Sequence, residues 1–346
     1  MMLFLGLLII AIGGFCQSSC YVPINKVKDW SWESFWFIQA VFAYLLLPFI
    51  GSFLAVPEGH TIFELYNNAA PFEFWMTILF GMLWGVGGLT FGLSMRYLGV
   101  ALGQSIALGT CAGLGTVLAP LLLQIFFPET DPISQLTYSV IIGVIVTLLG
   151  INIIGIAGAM KANAISASDN DKKSVVKEFN FTKGIMIALL CGFMSGCFNI
   201  GLAFGQNINF GALTPAIYKT LPATFLVTLG GFVSNAAYCL FQNMKNKTWG
   251  DYSKKSVLLN NVFWCLLAGA LWYSQFFGLS LGKGFLTGYP TLMTLSFCIL
   301  MALNVIFSNV WGIILKEWQG CSPRTITVLI VGIVVLVISC FLPQLI

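Results

Sequence analysis

Long apolar runs, separated by short polar segments, dominate the pattern along this chain. Each of these runs reaches about 20 residues, the length that an α-helix needs to cross the hydrocarbon core of a bilayer. The runs fall at 3–22, 34–55, 74–95, 98–126, 133–158, 184–206, 220–242, 257–281, 287–315 and 324–345. The pattern therefore predicts an all-α polytopic membrane protein with ten transmembrane helices.

The third and eighth of these runs carry the clearest internal repeat. Gly81, Leu83 and Trp84 return as Gly269, Leu271 and Trp272, and Phe-Gly-Leu-Ser at 91–94 returns at 277–280. A further match joins 142–146 in the fifth run to 331–335 in the tenth. Matches in the same order along the chain indicate two related copies.

The longest charged connection, at 159–183, divides the runs into two sets of five. We therefore predict a first five-helix repeat over 1–158, a charged cytoplasmic loop over 159–183 and a second repeat over 184–346. Because five is an odd number, the second copy must enter the membrane from the other side. That produces two inverted five-helix repeats, an architecture of many secondary transporters, whose substrate site lies near the midplane.

The third run also carries glycines at i, i+4, i+7 and i+11: Gly81, Gly85, Gly88 and Gly92. These positions share one face of a helix. A ridge of small residues lets the backbone of a neighbouring helix approach closely, which promotes association in lipid. We expect this face to pack against another helix.

The distribution of charge sets the expected orientation. Only 8% of the 346 residues are charged, compared with about a quarter in a soluble domain, and the mean hydropathy is +0.91. With the N-terminus outside, 14 of the 16 basic residues fall in inner loops. The positive-inside rule then predicts that both termini are outside the cell, and the net charge of +4 needs no nucleic acid to explain it.

The sequence gives no support for a metal site or for a cofactor site. The ten cysteines form no Cys-x-x-Cys pair and no cluster with histidine. We therefore predict no metal site and no cofactor.

The predicted helices hold no charged residue near their middle. An intramembrane charge usually marks an ion pathway or a charged ligand, so the transported molecule is expected to be neutral. Amide, hydroxyl and aromatic side chains suit a sugar, because the rings stack on its C–H face and the amides bond its hydroxyls. The candidate substrate-binding residues are Gln17, Tyr21, Trp84, Gln104, Ser195, Asn199, Trp272, Gln275, Tyr289 and Asn304.

Two of these pairs are expected to correspond. If Gly14 of the first run aligns with Gly192 of the sixth, Gln17 aligns with Ser195 and Tyr21 with Asn199. The alternative for every candidate is a hydrogen bond to a neighbouring helix, worth about 0.6 kcal/mol on average.

Several motifs resemble those of the bacterial L-rhamnose–proton symporters, which belong to the drug/metabolite transporter superfamily. The resemblance lies in 21–23 with 26–33, in 83–85, in 91–99, in 271–277 and in 315–318. It implies ten helices in two inverted repeats, location in the bacterial inner membrane, and inward cotransport of L-rhamnose with a proton. A 6-deoxy sugar is neutral and carries hydroxyls and one methyl group, so it fits the uncharged residues above.

Proton coupling requires a group that titrates. The candidates are Glu33, Glu73 and Glu317, all at the predicted membrane edges. We hypothesise that Glu33 or Glu317 is the proton-coupling residue, although a carboxylate at such an edge often only pairs with a neighbouring cation.

Other functions stay open at this point. An exporter or a facilitator of another neutral metabolite could share the fold. A membrane-embedded enzyme is disfavoured, because the one histidine lies in a loop and no carboxylate lies near the middle of a predicted helix. No ring of repeated pore residues indicates a channel. The fifth and tenth helices are expected at the periphery, where they could form a homodimer in the lipid bilayer.

Overall fold

The computed structural model describes residues 2–98, 100–168 and 181–345. Within these ranges, the description leaves out the side chains of Tyr21, Gly92, 95–96, 100–102, 165–168 and Phe181. The central part of the predicted loop 159–183, at 169–180, lies outside the described ranges. In the described residues, ten helices are long and apolar enough to cross a membrane. They are α1 Met2–Ser19, α2 Trp32–Ala55, α3 Pro71–Leu98, α4 Val100–Phe126, α5 Tyr138–Ser168, α6 Phe181–Phe204, α7 Leu221–Asn246, α8 Lys255–Phe285, α9 Pro290–Ile314 and α10 Pro323–Phe341.

The ten-helix prediction is confirmed, and the largest differences are at helix ends. The fifth helix begins at Tyr138 rather than 133, because a 3-10 turn over Pro132–Gln135 precedes it. It continues to Ser168, well past the expected end at 158. The extension is polar and alanine-rich, and alanine has the highest helix propensity of all residues.

Helix α2 contains a π-helical turn over Val41–Leu46. Pro48 follows this turn, and a proline has no N–H to donate to the carbonyl four residues earlier. The regular hydrogen-bond ladder therefore cannot continue unchanged through this part of the helix. Single π-helical turns are rare and occur often at functional sites.

The helices form two compact units. The first comprises Met1–Gly85 and Gly201–Gly288, and the second comprises Val86–Ile200 and Tyr289–Ile346. Each unit therefore draws helices from both predicted repeats. Two of the three boundaries between the units fall inside α3 and α6, and the third falls between α8 and α9.

In the first unit, glycines allow α3 and α7 to cross closely. A Cβ atom at Gly81 would collide with the backbone of Val227, and one at Gly230 would collide with the backbone of α3. Asn235 reinforces the crossing, since its Nδ2 donates to the Gly231 carbonyl at 2.8 Å and to the Gly85 carbonyl at 3.4 Å. Half of the glycine ridge of α3 thus serves packing.

The rest of that ridge behaves differently. A Cβ atom at Gly88 would meet nothing within 4 Å, and Gly92 lies outside the described side chains. The periodicity of the glycines was therefore a correct indicator of packing for Gly81 and Gly85 but not for Gly88.

In the second unit, α5 packs along α10. Gly150 lies against Leu336, Gly332 lies against Ile154, and the hydroxyl of Thr147 donates to the hydroxyl of Ser339 at 3.0 Å. Small residues again permit the close approach that helices need in lipid.

Candidate functional site

Four aromatic side chains from three helices converge in the first unit. The ring centroids of Trp84 on α3 and Trp272 on α8 are 5.7 Å apart. Tyr44 of α2 contacts both, with centroids 5.2 Å from Trp84 and 4.5 Å from Trp272. Phe276, one turn after Trp272, completes the group at 5.2 Å from Trp272. We call these four residues the aromatic cluster.

Local structure positions each ring. The π-helical turn of α2 carries Tyr44, and small neighbours Ala40 and Ala43 pack with it. Gly231 on α7 leaves room for the indole of Trp84, because a Cβ atom there would overlap that ring. Tyr44 is buried, whereas the two tryptophans are only half-buried. Their rings therefore retain surface that could stack against a ligand.

Amide side chains lie on α2 and α8, which carry part of the aromatic cluster, and on α1. Gln275 is 3% exposed and lies one turn from Trp272 on α8. Its backbone packs against Gly13 of α1, and half-buried Gln17 follows Gly13 by one turn on the same helix face. On α2, the buried Oε1 atom of Gln39 has no hydrogen-bond partner among the described residues. The first unit thus combines flat aromatic surface with amide groups.

The other predicted substrate-binding residues with described side chains lie in the second unit. Asn199 on α6 donates from Nδ2 to the Gly115 carbonyl of α4 at 2.9 Å, which is a bond between neighbouring helices of the second unit. Ser195, one turn earlier, lies against Gly87. In the same unit, Asn304 is buried while Gln104 and Tyr289 are half-buried. The side chain of Tyr21 lies outside the description.

Polar side chains surround Glu33, which lies in the first turn of α2. The Glu33 residue is 6% exposed, and its Oε1 accepts hydrogen bonds from Asn246 Nδ2 and Thr248 Oγ1, both at 2.9 Å. Among the described residues, no lysine or arginine nitrogen forms an ion pair with it. Its buried carboxylate is therefore held by neutral donors alone.

Asp251 lies in the short connection between α7 and α8 and was not among the sequence candidates. Its Oδ2 accepts from the Ser31 backbone N–H and hydroxyl, both at 2.8 Å, and from the Ser34 hydroxyl at 2.9 Å. Its Oδ1 pairs with Lys254 Nζ at 2.6 Å. Burial would raise the pKa of Asp251, but the bonds from Lys254, Ser31 and Ser34 outweigh it and lower the pKa to about 2.

Glu317 has a different environment. Its side chain is 58% exposed and lies 3.8 Å from Lys161 Nζ at the end of α5. The same ammonium lies 4.7 Å from the ring centroid of Trp318. Exposed pairs of this kind contribute little, typically less than about 1 kcal/mol.

Sequence reasoning missed Tyr44, Asp251 and Thr248. A tyrosine in an apolar run resembles an interfacial aromatic residue, and an aspartate between two helices resembles a solvated loop residue. The spacing of Asp251 before Lys254 was a signal for an i, i+3 ion pair, although it could not indicate burial.

Comparison with known proteins identifies the family. A profile of the L-rhamnose-proton symport protein (RhaT) family matches residues 1–345. The chain belongs to this family. A protein named L-rhamnose-proton symporter from Yersinia pestis (strain Pestoides F) is 30% identical over 343 residues, which cover 97% of this chain and 95% of the relative.

Two further relatives carry the same name. The protein from Yersinia pseudotuberculosis serotype O:1b (strain IP 31758) is also 30% identical over 97% of this chain and 95% of its own length. The protein from Yersinia pestis bv. Antiqua (strain Antiqua) is 29% identical over the same shares. Together with the ten membrane-spanning helices, membership of this bacterial symporter family identifies a multi-pass inner-membrane protein.

Proposed function

We propose that this protein is a secondary active transporter that imports L-rhamnose together with a proton by alternating access. The match to the RhaT family over 1–345 carries this proposal, and the relatives named L-rhamnose-proton symporter indicate the sugar and the ion. The protein would accordingly be a transporter and not an enzyme.

The aromatic cluster supports a neutral sugar as the substrate. Aromatic faces bind the C–H face of a pyranose, and Gln275 and Gln17 offer amide groups to its hydroxyls. L-Rhamnose also carries a methyl group, which an apolar aromatic surface accommodates without unpaired polar atoms. The residues of this proposed site are Gln17, Trp84, Trp272 and Gln275, together with Tyr44.

The polar residues in the second unit, including Ser195, Asn199, Gln104, Tyr289 and Asn304, remain candidates for substrate contact. Asn199 is the least favoured of these, because its amide already bonds the Gly115 carbonyl.

Glu33 is the proposed proton-coupling residue. A coupling group must exist in both protonation states, and Glu33 is a buried carboxylate whose hydrogen-bond partners in the described residues are neutral. Glu317 has a cationic partner and is largely exposed, so its protonation would change little in the protein. We therefore assign coupling to Glu33 rather than to Glu317.

Uptake of labelled L-rhamnose into proteoliposomes tests the function directly. The expected result is accumulation against the sugar gradient when the proton gradient is directed inward, and none when an uncoupler removes it. Equilibration without accumulation would indicate a facilitator. Absence of both binding and uptake would exclude L-rhamnose as the substrate. An exporter would show no sugar-induced alkalinisation of the external medium.

We also propose that 1–158 and 184–346 form two inverted repeats. A homodimer formed through α5 and α10 is a further proposal. Both helices carry exposed aliphatic side chains, which fits either lipid or a second copy. The positive-inside argument places the Glu33 end of α2 on the cytoplasmic side.

A further inference from the structure

A continuous chain of hydrogen-bonding groups joins the carboxylates of Glu33 and Asp251. The hydroxyl of Thr248 lies 2.9 Å from Glu33 Oε1 and also 2.9 Å from Asn243 Oδ1. The hydroxyl of Ser34 lies 3.1 Å from the same Asn243 oxygen and 2.9 Å from Asp251 Oδ2. Each hydroxyl therefore lies between two of these acceptors but has only one proton to donate. The hydroxyl of Ser34 also lies 2.8 Å from that of Ser31, and either of the two could donate to the other.

When Glu33 is ionised, the hydroxyl of Thr248 donates to it, because a bond to a charged acceptor is stronger than one to an amide oxygen. Asn243 Oδ1 then accepts a hydrogen bond from the hydroxyl of Ser34. Asp251 does not need Ser34 in this state, since the Ser31 N–H, the Ser31 hydroxyl and Lys254 remain in place as donors.

When Glu33 is protonated, the directions along the chain reverse. The new carboxyl O–H donates to the oxygen of Thr248, and the hydroxyl of Thr248 turns its proton to Asn243 Oδ1. The hydroxyl of Ser34 is thereby free to donate to Asp251. Every donor and acceptor named here is satisfied in both states, so one proton on Glu33 can be accepted without leaving a buried polar atom unpaired.

We propose that Thr248 is a positioning residue for the coupling proton, because its hydroxyl supports either protonation state of Glu33 by turning between that carboxylate and Asn243. This inference rests on the proposed role of Glu33 in proton coupling. The printed distances place the Thr248 hydroxyl against Glu33 and Asn243, and neither of these residues belongs to the aromatic cluster.

Other titratable groups lie near this chain and have to be separated from Glu33. They include Cys239 on α7, Asp251 and Tyr252 in the connection between α7 and α8, and Lys254 at its end. Lys247 directly precedes Thr248 in the chain. Burial raises the pKa of Tyr252, so its hydroxyl stays neutral in the working range. Asp251 and Lys254 neutralise each other, which leaves Glu33 as the carboxylate without a charged partner.

The test measures the protonation of Glu33 itself. Infrared difference spectra of the full-length protein in proteoliposomes are recorded as the pH is stepped, and the band of Glu33 is identified by its loss in Glu33→Gln. Thr248→Val removes the hydroxyl with little change in volume, and Thr248→Ser retains it. Thr228→Val is the matched control, because Thr228 is a buried threonine of α7 whose hydroxyl donates to the backbone carbonyl of Phe225 at 3.0 Å.

We expect Thr248→Val to move the titration midpoint of the Glu33 band upward by about one pH unit, a tenfold change in proton affinity. Thr248→Ser and Thr228→Val should titrate as the wild type does. If Thr248→Val does not fold, Thr248→Ala tests the same loss of a donor. An unchanged midpoint in the hydroxyl-free variants, or an equal shift in Thr248→Ser, would overturn the inference.

The same set of variants separates this inference from the proposed function. If the Glu33 band responds to Thr248 as expected while Glu33→Gln still accumulates L-rhamnose against its gradient, the hydrogen-bond chain is correct but Glu33 does not couple. In that outcome Thr248 has no role in coupling either, because its proposed role depends on that of Glu33.

Discussion

The indole rings of Trp84 and Trp272 lie with their centroids 5.7 Å apart, tilted by 33°. These are the two tryptophans that the internal repeat relates, on the third and eighth helices. The two positions that the predicted repeat pairs thus lie in the same compact unit, where Tyr44 contacts both rings. Such a meeting is what a local two-fold relationship between the copies would produce.

Replacing Trp272 should weaken sugar binding. Trp272→Ala removes a ring that packs on Tyr44, Trp84 and Phe276, and we expect about a tenfold loss of affinity for L-rhamnose, with a smaller loss for Trp272→Phe. Equilibrium binding to the purified protein measures both. Trp249→Phe, at an exposed position of the connection after α7, is the control, and wild-type affinity in Trp272→Ala would remove the aromatic cluster from the site.

The two carboxylates of the sequence hypothesis should behave differently. Glu33→Gln is expected to abolish accumulation of L-rhamnose driven by a proton gradient while exchange of sugar across the membrane continues. Glu317→Gln should retain accumulation, because its exposed pair with Lys161 contributes little. Parallel measurements of uphill uptake and of counterflow make the comparison, and uphill uptake by both variants would contradict the assignment.

Two glycines of α3 provide a matched pair for stability. Gly81→Ala places a Cβ atom against the backbone of Val227, whereas Gly88→Ala places it in open space. The first should lower the thermal unfolding temperature clearly, since the helix crossing must open to relieve this overlap with backbone atoms. The second should be neutral or slightly stabilising, because alanine favours helices over glycine by about 1 kcal/mol. Equal melting temperatures would show that the close crossing of α3 and α7 contributes no stability.

The ion pair of Asp251 should make stability depend on pH in the acid range. Its pKa is lowered from 3.8 to about 2 by its donors, so its contribution is complete above the unfolded value near 3.9 and is lost as the pH falls through about 2. The shift corresponds to about 2 kcal/mol.

Melting curves between pH 7 and pH 2 test this dependence. Asp251→Asn should unfold at a lower temperature than the wild type at pH 7, and the difference should shrink toward pH 2. Asp131→Asn, at an exposed loop position, should match the wild type throughout. A difference that stays constant down to pH 2 would exclude the charge of Asp251 as its cause.

Much of the fold could be predicted because the bilayer imposes strong conditions on a sequence. A helix must be about 20 apolar residues long to cross, and loops rich in lysine and arginine stay on the cytoplasmic side. The glycines at 81 and 85 correctly indicated a close helix contact, since only small residues permit it. The family motifs around 21–33 and 271–277 are short stretches of sequence, so they could be recognised without the structure.

The sites were less accessible to sequence reasoning. Asn199 appeared as a candidate ligand because a polar residue stands out in an apolar run, yet its amide bonds the neighbouring helix. Asp251 appeared to be a loop residue, yet the fold buries it beneath the start of α2. A pattern of polar residues does not distinguish these environments.

The sequence by itself therefore determined the number of helices, the expected orientation and the family. Only the tertiary structure decided which helix faces meet, that Tyr44 joins Trp84 and Trp272, and that Thr248 stands between Glu33 and Asn243. The physical reason is that lipid-facing and buried faces of membrane helices are similarly apolar, so helix association depends on side-chain packing and hydrogen bonds. These depend on three-dimensional contacts between distant segments, which local hydrophobicity and charge do not encode.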